Sequence, residues 1–304
     1  VELEVSNLSR QQNIKISTNA MAQLIAMQQD EITDHVTYKA IARKIKNPEN
    51  KKILEKIAAE EKKHYEILKR YTNRSLKPEP LKVWWRTLMA SILGFTFTIK
   101  LMESSEAIAQ HNYSDLIKEV PEAEIIVAEE EEHEEKLINM LNEERLQYVG
   151  SMVLGLNDAL VELTGTLAGL SFALQNTRII ALSGLITGIS ATLSMASSEF
   201  LSAKSEGNKD ALKSSFYTGI AYLITVVMLI LPYLLLPPQK YMLALFTMLI
   251  TVVAIIAAFN YYIAVAKDLP FKRRFLEMAT ISLSVAVLSF VVGLIVKNAL
   301  GVDI

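Results

Sequence analysis

Two short patterns set a carboxylate and an imidazole three residues apart: Glu61-Lys62-Lys63-His64 and Glu130-Glu131-Glu132-His133. On a helix, residues three apart share a face, so one ion can take an oxygen from the first and a nitrogen from the second. Glu31 precedes the first pattern, and Glu103 and Glu106, again three apart, fall between the two. One Glu from each of two helices plus Glu-x-x-His from each of two others is the ligand count of a two-metal carboxylate site. A single such pattern carries little weight, because Glu129–Glu135 alone reads as a solvated charge run. Two of them, with glutamates before and between, predict a site for two metal ions. His35 and His111 stand off this spacing and read as supporting or surface groups.

A second set of acidic residues lies where charge is expensive. Asp158 and Glu162 are four apart in an apolar stretch, and Met195 and Glu199 are four apart in the next one. A charge near the centre of a bilayer costs roughly 2.5–3.5 kcal/mol, so it ordinarily marks a pathway or relay. Carboxylate oxygens with a soft thioether suit a first-row divalent ion better than Mg²⁺ or an organic solute.

The elements that must position these groups follow from composition. The chain has 304 residues, 51% hydrophobic and 21% charged, and the charges are segregated. Residues 1–144 hold 25 Asp/Glu and 20 Lys/Arg, whereas residues 145–304 hold 8 and 11. The expectation is an all-α protein with an acidic soluble domain over 1–144 and a membrane domain over 145–304. Four helices are predicted in the first: about 15–44, 47–70 and 83–116, then one opened by Pro121. The uncharged stretch 87–99 is too short to cross a bilayer and reads as a buried bundle helix. In the second domain, about 149–174, 179–203, 215–236, 241–266 and 275–296 are each long and apolar enough to span.

Orientation follows from the Lys/Arg bias of the separators. Lys204, Lys209, Lys213, Lys267, Lys272, Arg273 and Arg274 flank the second and fourth, whereas the first and third carry only Arg178 and Lys240. The soluble domain is therefore expected in the cytoplasm and the C-terminus on the far side. Glu277, beside Arg273 and Arg274, reads as an interfacial ion-pair partner. The absence of cysteine excludes disulfides, thiolate metal sites and a rubredoxin-type iron centre. No apolar leader is expected at the N-terminus, and without a strong basic patch or a Gly-rich phosphate loop, no nucleic-acid partner is expected.

Several of these stretches resemble known families. Val153-Leu-Gly-Leu-Asn-Asp-Ala-Leu-Val161 and Ala191-Thr-Leu-Ser-Met-Ala-Ser-Ser-Glu-Phe-Leu-Ser202 resemble the first- and second-span signatures of vacuolar iron transporters. That resemblance implies an Fe²⁺ path lined by Asp158 and Met195 at a dimer interface, with proton antiport and Glu199 in support. The plant-type relatives carry a long acidic insert between spans two and three. Here Lys204–Lys213 is too short to gather metal. Glu31-x6-Tyr38, Ala58-Ala-Glu-Glu-Lys-Lys-His64 and the Glu103/Glu106 pair resemble rubrerythrin, which implies a ferritin-like four-helix bundle with a di-iron site. It further implies Glu106 as an alternate ligand to Glu103, and Tyr38 as a hydrogen-bond partner that orients a ligand carboxylate. The order of the two halves, with Asp158-Ala-Leu-Val-Glu162, resembles the erythrin–vacuolar iron transport family, also called membrane-bound ferritins.

The expected function is export of Fe²⁺, with Mn²⁺ as a second cargo, by a homodimer whose soluble domain binds, senses or delivers iron. Two alternatives remain at this point. A tethered ferroxidase or peroxidase would use the membrane half as an anchor, though an anchor has no need of Asp158 and Glu162. A storage nucleus would need a closed shell that one bundle does not make.

Overall fold

The computed structural model describes residues 16–110, 119–122, 126 and 144–300, with side chains masked from description at 105–110, 144–145, 294 and 296–300. The described residues are helical, without strands, and the chain falls into two compact units that meet at Glu143/Glu144. The expected all-α class is what the protein adopts.

In the first unit, α1 (Thr18–Ala42) starts where the Ser17 hydroxyl accepts the Ala20 amide, an N-cap that satisfies one orphan donor. Helix α2 (Pro48–Thr72) starts with Asn47 as cap and Pro48 in the first turn, and it stops at Asn73 in the left-handed region, φ 51°. The two pack along their length and enclose two apolar clusters. Tyr38, Ile41, Leu54, Ala58, Ile99 and Met102 form one, and Leu24, Met27, Leu68, Val120 and Ile126 belong to the other. Between the clusters α1 buries a polar row, Gln28, Glu31 and Asp34, two of its members ionisable. Such burial is costly unless each group is paired. Gln28 accordingly accepts from Thr72 Oγ1 at 2.6 Å and donates to the Arg74 carbonyl, and Asp34 takes the Arg86 guanidinium.

The expected continuous third helix over 83–116 is corrected. Helix α3 (Pro80–Ile92) ends at Leu93, Gly94 takes φ 102°, and α4 (Phe95–Gln110) follows. That φ is open to glycine and strained for other residues, so Gly94 sets the break. The reading of 87–99 as one buried bundle helix is corrected as well. No residue of α3 is buried, whereas Thr96–Lys100 of α4 all are. Absence of charge in a short stretch marks helix but does not say which side of a break faces the core. The predicted fourth helix, with Glu130 and His133, lies outside the described residues. Near its start, Glu119 accepts hydrogen bonds from the Ser17 amide and hydroxyl at 2.7 and 2.9 Å.

The second unit opens with a turn of helix, Glu144–Gln147, and continues as α5 (Val149–Leu174), α6 (Thr177–Ser205), α7 (Ala211–Leu235), α8 (Tyr241–Lys267) and α9 (Phe271–Leu300). All five are long and apolar enough to cross a membrane, α9 over Phe271–Gly293. The protein is an integral membrane protein. Lys272, Arg273 and Arg274 lie in the first turn of α9 rather than in the separator before it. Around α5, the other helices close on an apolar core that includes Leu160, Leu163, Tyr222, Leu229 and Met248. Close approach depends on glycine, as in many membrane helix pairs. A Cβ at Gly155 would lie 2.5 Å from the Thr218 carbonyl oxygen, and one at Gly165 would lie 2.7 Å from Ser289 Oγ.

Candidate functional site

In the first unit the ligand candidates come from facing turns of α1 and α2. Glu31, Glu61 and His64 are 8%, 4% and 0% exposed, and each offers a donor atom within 4.8 Å of the other two. His64 Nδ1 lies 3.5 Å from Glu31 Oε2. The spacing of Glu61 and His64 points both inward from α2, and Glu31 meets them because α1 runs alongside. Two oxygens and an imidazole, enclosed and close enough for one ion, fit a first-row divalent metal. The donor set therefore suits the metal that the fold implies.

Glu103, on α4, is not one of those three. Buried to 6% exposure, it accepts a 2.5 Å hydrogen bond from the hydroxyl of Tyr38, which is itself fully buried. Tyr38 lies two turns after Glu31 on α1, so the same helix carries a ligand candidate and the group that orients Glu103. His35 Nδ1 contacts the Ala58 carbonyl oxygen, and burial holds the imidazole below its ordinary pKa. It belongs to the α1–α2 packing and not to the trio. The side chains of Glu106, Glu130 and His133 lie outside the described residues, as does His111.

In the second unit the four path candidates have different surroundings. Asp158 lines a cavity of about 510 Å³ between α5, α8 and α9. Glu162, one turn on, accepts from the Tyr222 hydroxyl of α7 at 2.8 Å and is otherwise exposed on the single chain. Glu199 accepts from the Ser151 hydroxyl of α5 at 2.8 Å, and Met195 packs partly buried against the core. Of the four, Asp158 alone lines the cavity. Glu277 accepts from Arg273 Nε at 2.9 Å.

Sequence reasoning passed over Tyr222, Ser151 and Asn260. Asn260 carried a signal, a side-chain amide deep in the apolar run 241–266. Tyr222 and Ser151 carried none, because their importance lies in partners 60 and 48 residues away.

A model of the rubrerythrin family matches residues 26–145, and a model of the VIT family matches residues 149–210. The chain is a fusion of a rubrerythrin-like domain with a vacuolar-iron-transporter-like domain. A search of curated proteins gave no match. The VIT match spans α5 and α6 and so contains Asp158, Glu162, Met195 and Glu199. Together with the five apolar helices it makes this a membrane metal transporter that carries a rubrerythrin-like domain.

Proposed function

We propose that the protein exports Fe²⁺ from the cytoplasm, with Mn²⁺ as a second cargo, in exchange for protons. The single observation that carries this reading is the placement of two carboxylates on α5, one in a cavity and one exposed, within the VIT-like stretch. Anchoring in a bilayer explains neither, since each opposes insertion. Asp158, Glu162, Met195 and Glu199 form the conduit. The basic ends near Lys204–Lys213 and Lys267–Arg274 support a cytoplasmic rubrerythrin-like domain and a C-terminus on the far side. Glu162, costly if it faced lipid, supports a homodimer with the first span at its two-fold axis, where both copies supply ligands.

In the rubrerythrin-like domain, Glu31, Glu61, His64, Glu103, Glu130 and His133 would hold two irons, with Glu106 as alternate ligand and Tyr38 steadying Glu103. A metal pair bound there would supply redox chemistry toward Fe²⁺. The residues of the chain bind the ions, exclude bulk water by burial and fix one carboxylate through Tyr38. The domain would bind or deliver iron to the conduit, and any ferroxidase activity would be secondary to transport.

The test is Fe²⁺ flux in proteoliposomes. Asp158→Asn is expected to abolish flux while leaving metal binding by the rubrerythrin-like domain unchanged. Normal flux in that variant would sink the conduit assignment and favour the tethered ferroxidase or peroxidase.

A further inference from the structure

The α5–α8–α9 cavity brings together more than Asp158. It draws on the N-terminal halves of α5 and α9 and the C-terminal half of α8, so it lies at the end of the membrane unit that carries Lys267–Arg274. Arg274 and Glu277 line its outer part. Ser282 lies about 12 Å further along α9 at the usual rise per residue.

Three features of its wall go beyond packing. Asn260 is 2% exposed, and its amide nitrogen donates to the Ile256 carbonyl at 2.8 Å and to Met278 Sδ at 3.0 Å. Both amide hydrogens are thereby used, so what remains to be offered is the carbonyl oxygen. The same bond steadies the Met278 thioether at the cavity wall. Ser282 is fully buried, yet its hydroxyl makes no hydrogen bond among the described residues. Several such groups in the spans bond back one turn, as Ser171 does to Leu167, Thr192 to Gly188 and Thr225 to Ala221, whereas Thr164 of α5, like Ser282, is buried without a partner among the described residues. Ser282 departs from that habit where the helix borders the cavity, and a buried hydroxyl without a partner is costly.

The acceptors around this space are a carboxylate, an amide carbonyl, a hydroxyl and a thioether. That mixture of hard oxygens and one soft sulfur suits a first-row divalent cation. Glu277 is held by Arg273 at the outer part, so the group that draws a cation inward is the Asp158 carboxylate rather than a net charge of the wall. With water occupying about 30 Å³ each, the volume admits an ion that still keeps hydration.

We propose that this cavity is a binding site for the cargo cation, partly hydrated, with Asp158, Asn260, Met278 and Ser282 of one protomer as its ligands. The site rests on the transport reading and extends it to the fourth and fifth spans.

The chain has no cysteine, so Ser282→Cys introduces a single thiol into the full-length protein. In proteoliposomes a small charged methanethiosulfonate is expected to label it, and Mn²⁺ to slow that labelling several-fold. Adding Asp158→Asn should remove the protection. Absence of labelling, as a space filled by lipid tails would give, or labelling indifferent to Mn²⁺, overturns the site. A second arm avoids dependence on that one variant. Asn260→Leu and Met278→Leu should each raise the KM for Mn²⁺ flux about tenfold, the usual penalty for disturbing a metal's surroundings. Should Asp158→Asn abolish flux while these two keep the original KM, the cavity site falls and the conduit reading stands. Normal flux in Asp158→Asn removes both.

Discussion

Tyr38 and Glu103 show how a buried carboxylate is kept in place. A hydroxyl donating at 2.5 Å to an enclosed carboxylate contributes more than an exposed bond would, because water cannot replace it. Tyr38→Phe keeps the ring and removes the donor, and it is expected to cost about 1–3 kcal/mol. The unfolding midpoint of the full chain in detergent reads this, and an unchanged midpoint would show that the bond contributes nothing net. Arg86 and Asp34 make the sharper case. Asp34 is 2% exposed, so Arg86→Met takes the guanidinium from a buried carboxylate, and about 3 kcal/mol of stability should be lost. Restoration by the second change Asp34→Asn would identify the weakened charge pairing as the cause; failure to restore would point to lost packing instead.

At the scale of elements, the membrane helices depend on residues that lack side chains. The α5–α7 crossing has Gly155 against the Thr218 carbonyl, and the Thr218 hydroxyl donates to the Ser151 carbonyl at 3.0 Å. Because the obstacle to a Cβ is backbone, it cannot swing aside. Gly155→Ala should therefore destabilise the protein by about 1–3 kcal/mol, the range for overpacking. Gly150→Ala, with nothing within 4 Å, should be silent in the same thermal assay. Equal effects from the two would remove the close-approach argument. Since Ser151 also holds Glu199, displacing the crossing is expected to lower flux as well as stability.

For the whole molecule, the two compact units imply separable functions. Removing Glu31 and Glu61 together should abolish metal binding by the trio and slow flux at low Fe²⁺, yet leave saturating flux close to that of the parent. Loss of saturating flux would mean that the rubrerythrin-like domain is part of the conduit rather than its supplier. Dimerisation is tested through the face that carries Glu162. Thr166 is one turn further on α5, and Thr166→Cys should form a covalent dimer on mild oxidation in the membrane. A protein that stays monomeric in detergent and fails to cross-link would contradict the two-fold arrangement.

Much of this was legible in the chain alone, for a physical reason. Helix class, the five apolar spans and the fusion of two families depend on local spacing and composition, which act within a turn or within one bilayer thickness. The pairing of Glu61 with His64 is likewise local, since three residues on a helix place both on one face. What joined Glu31 to them, Tyr38 to Glu103 and Tyr222 to Glu162 was packing between helices distant in sequence, and no periodicity records which turns will meet. The break at Gly94 was hidden because glycine is permissive and declares its φ only in a folded context. The α5–α8–α9 cavity belongs wholly to tertiary structure. Its Asn260, Met278 and Ser282 are ordinary residues in apolar runs until three helices pack around Asp158.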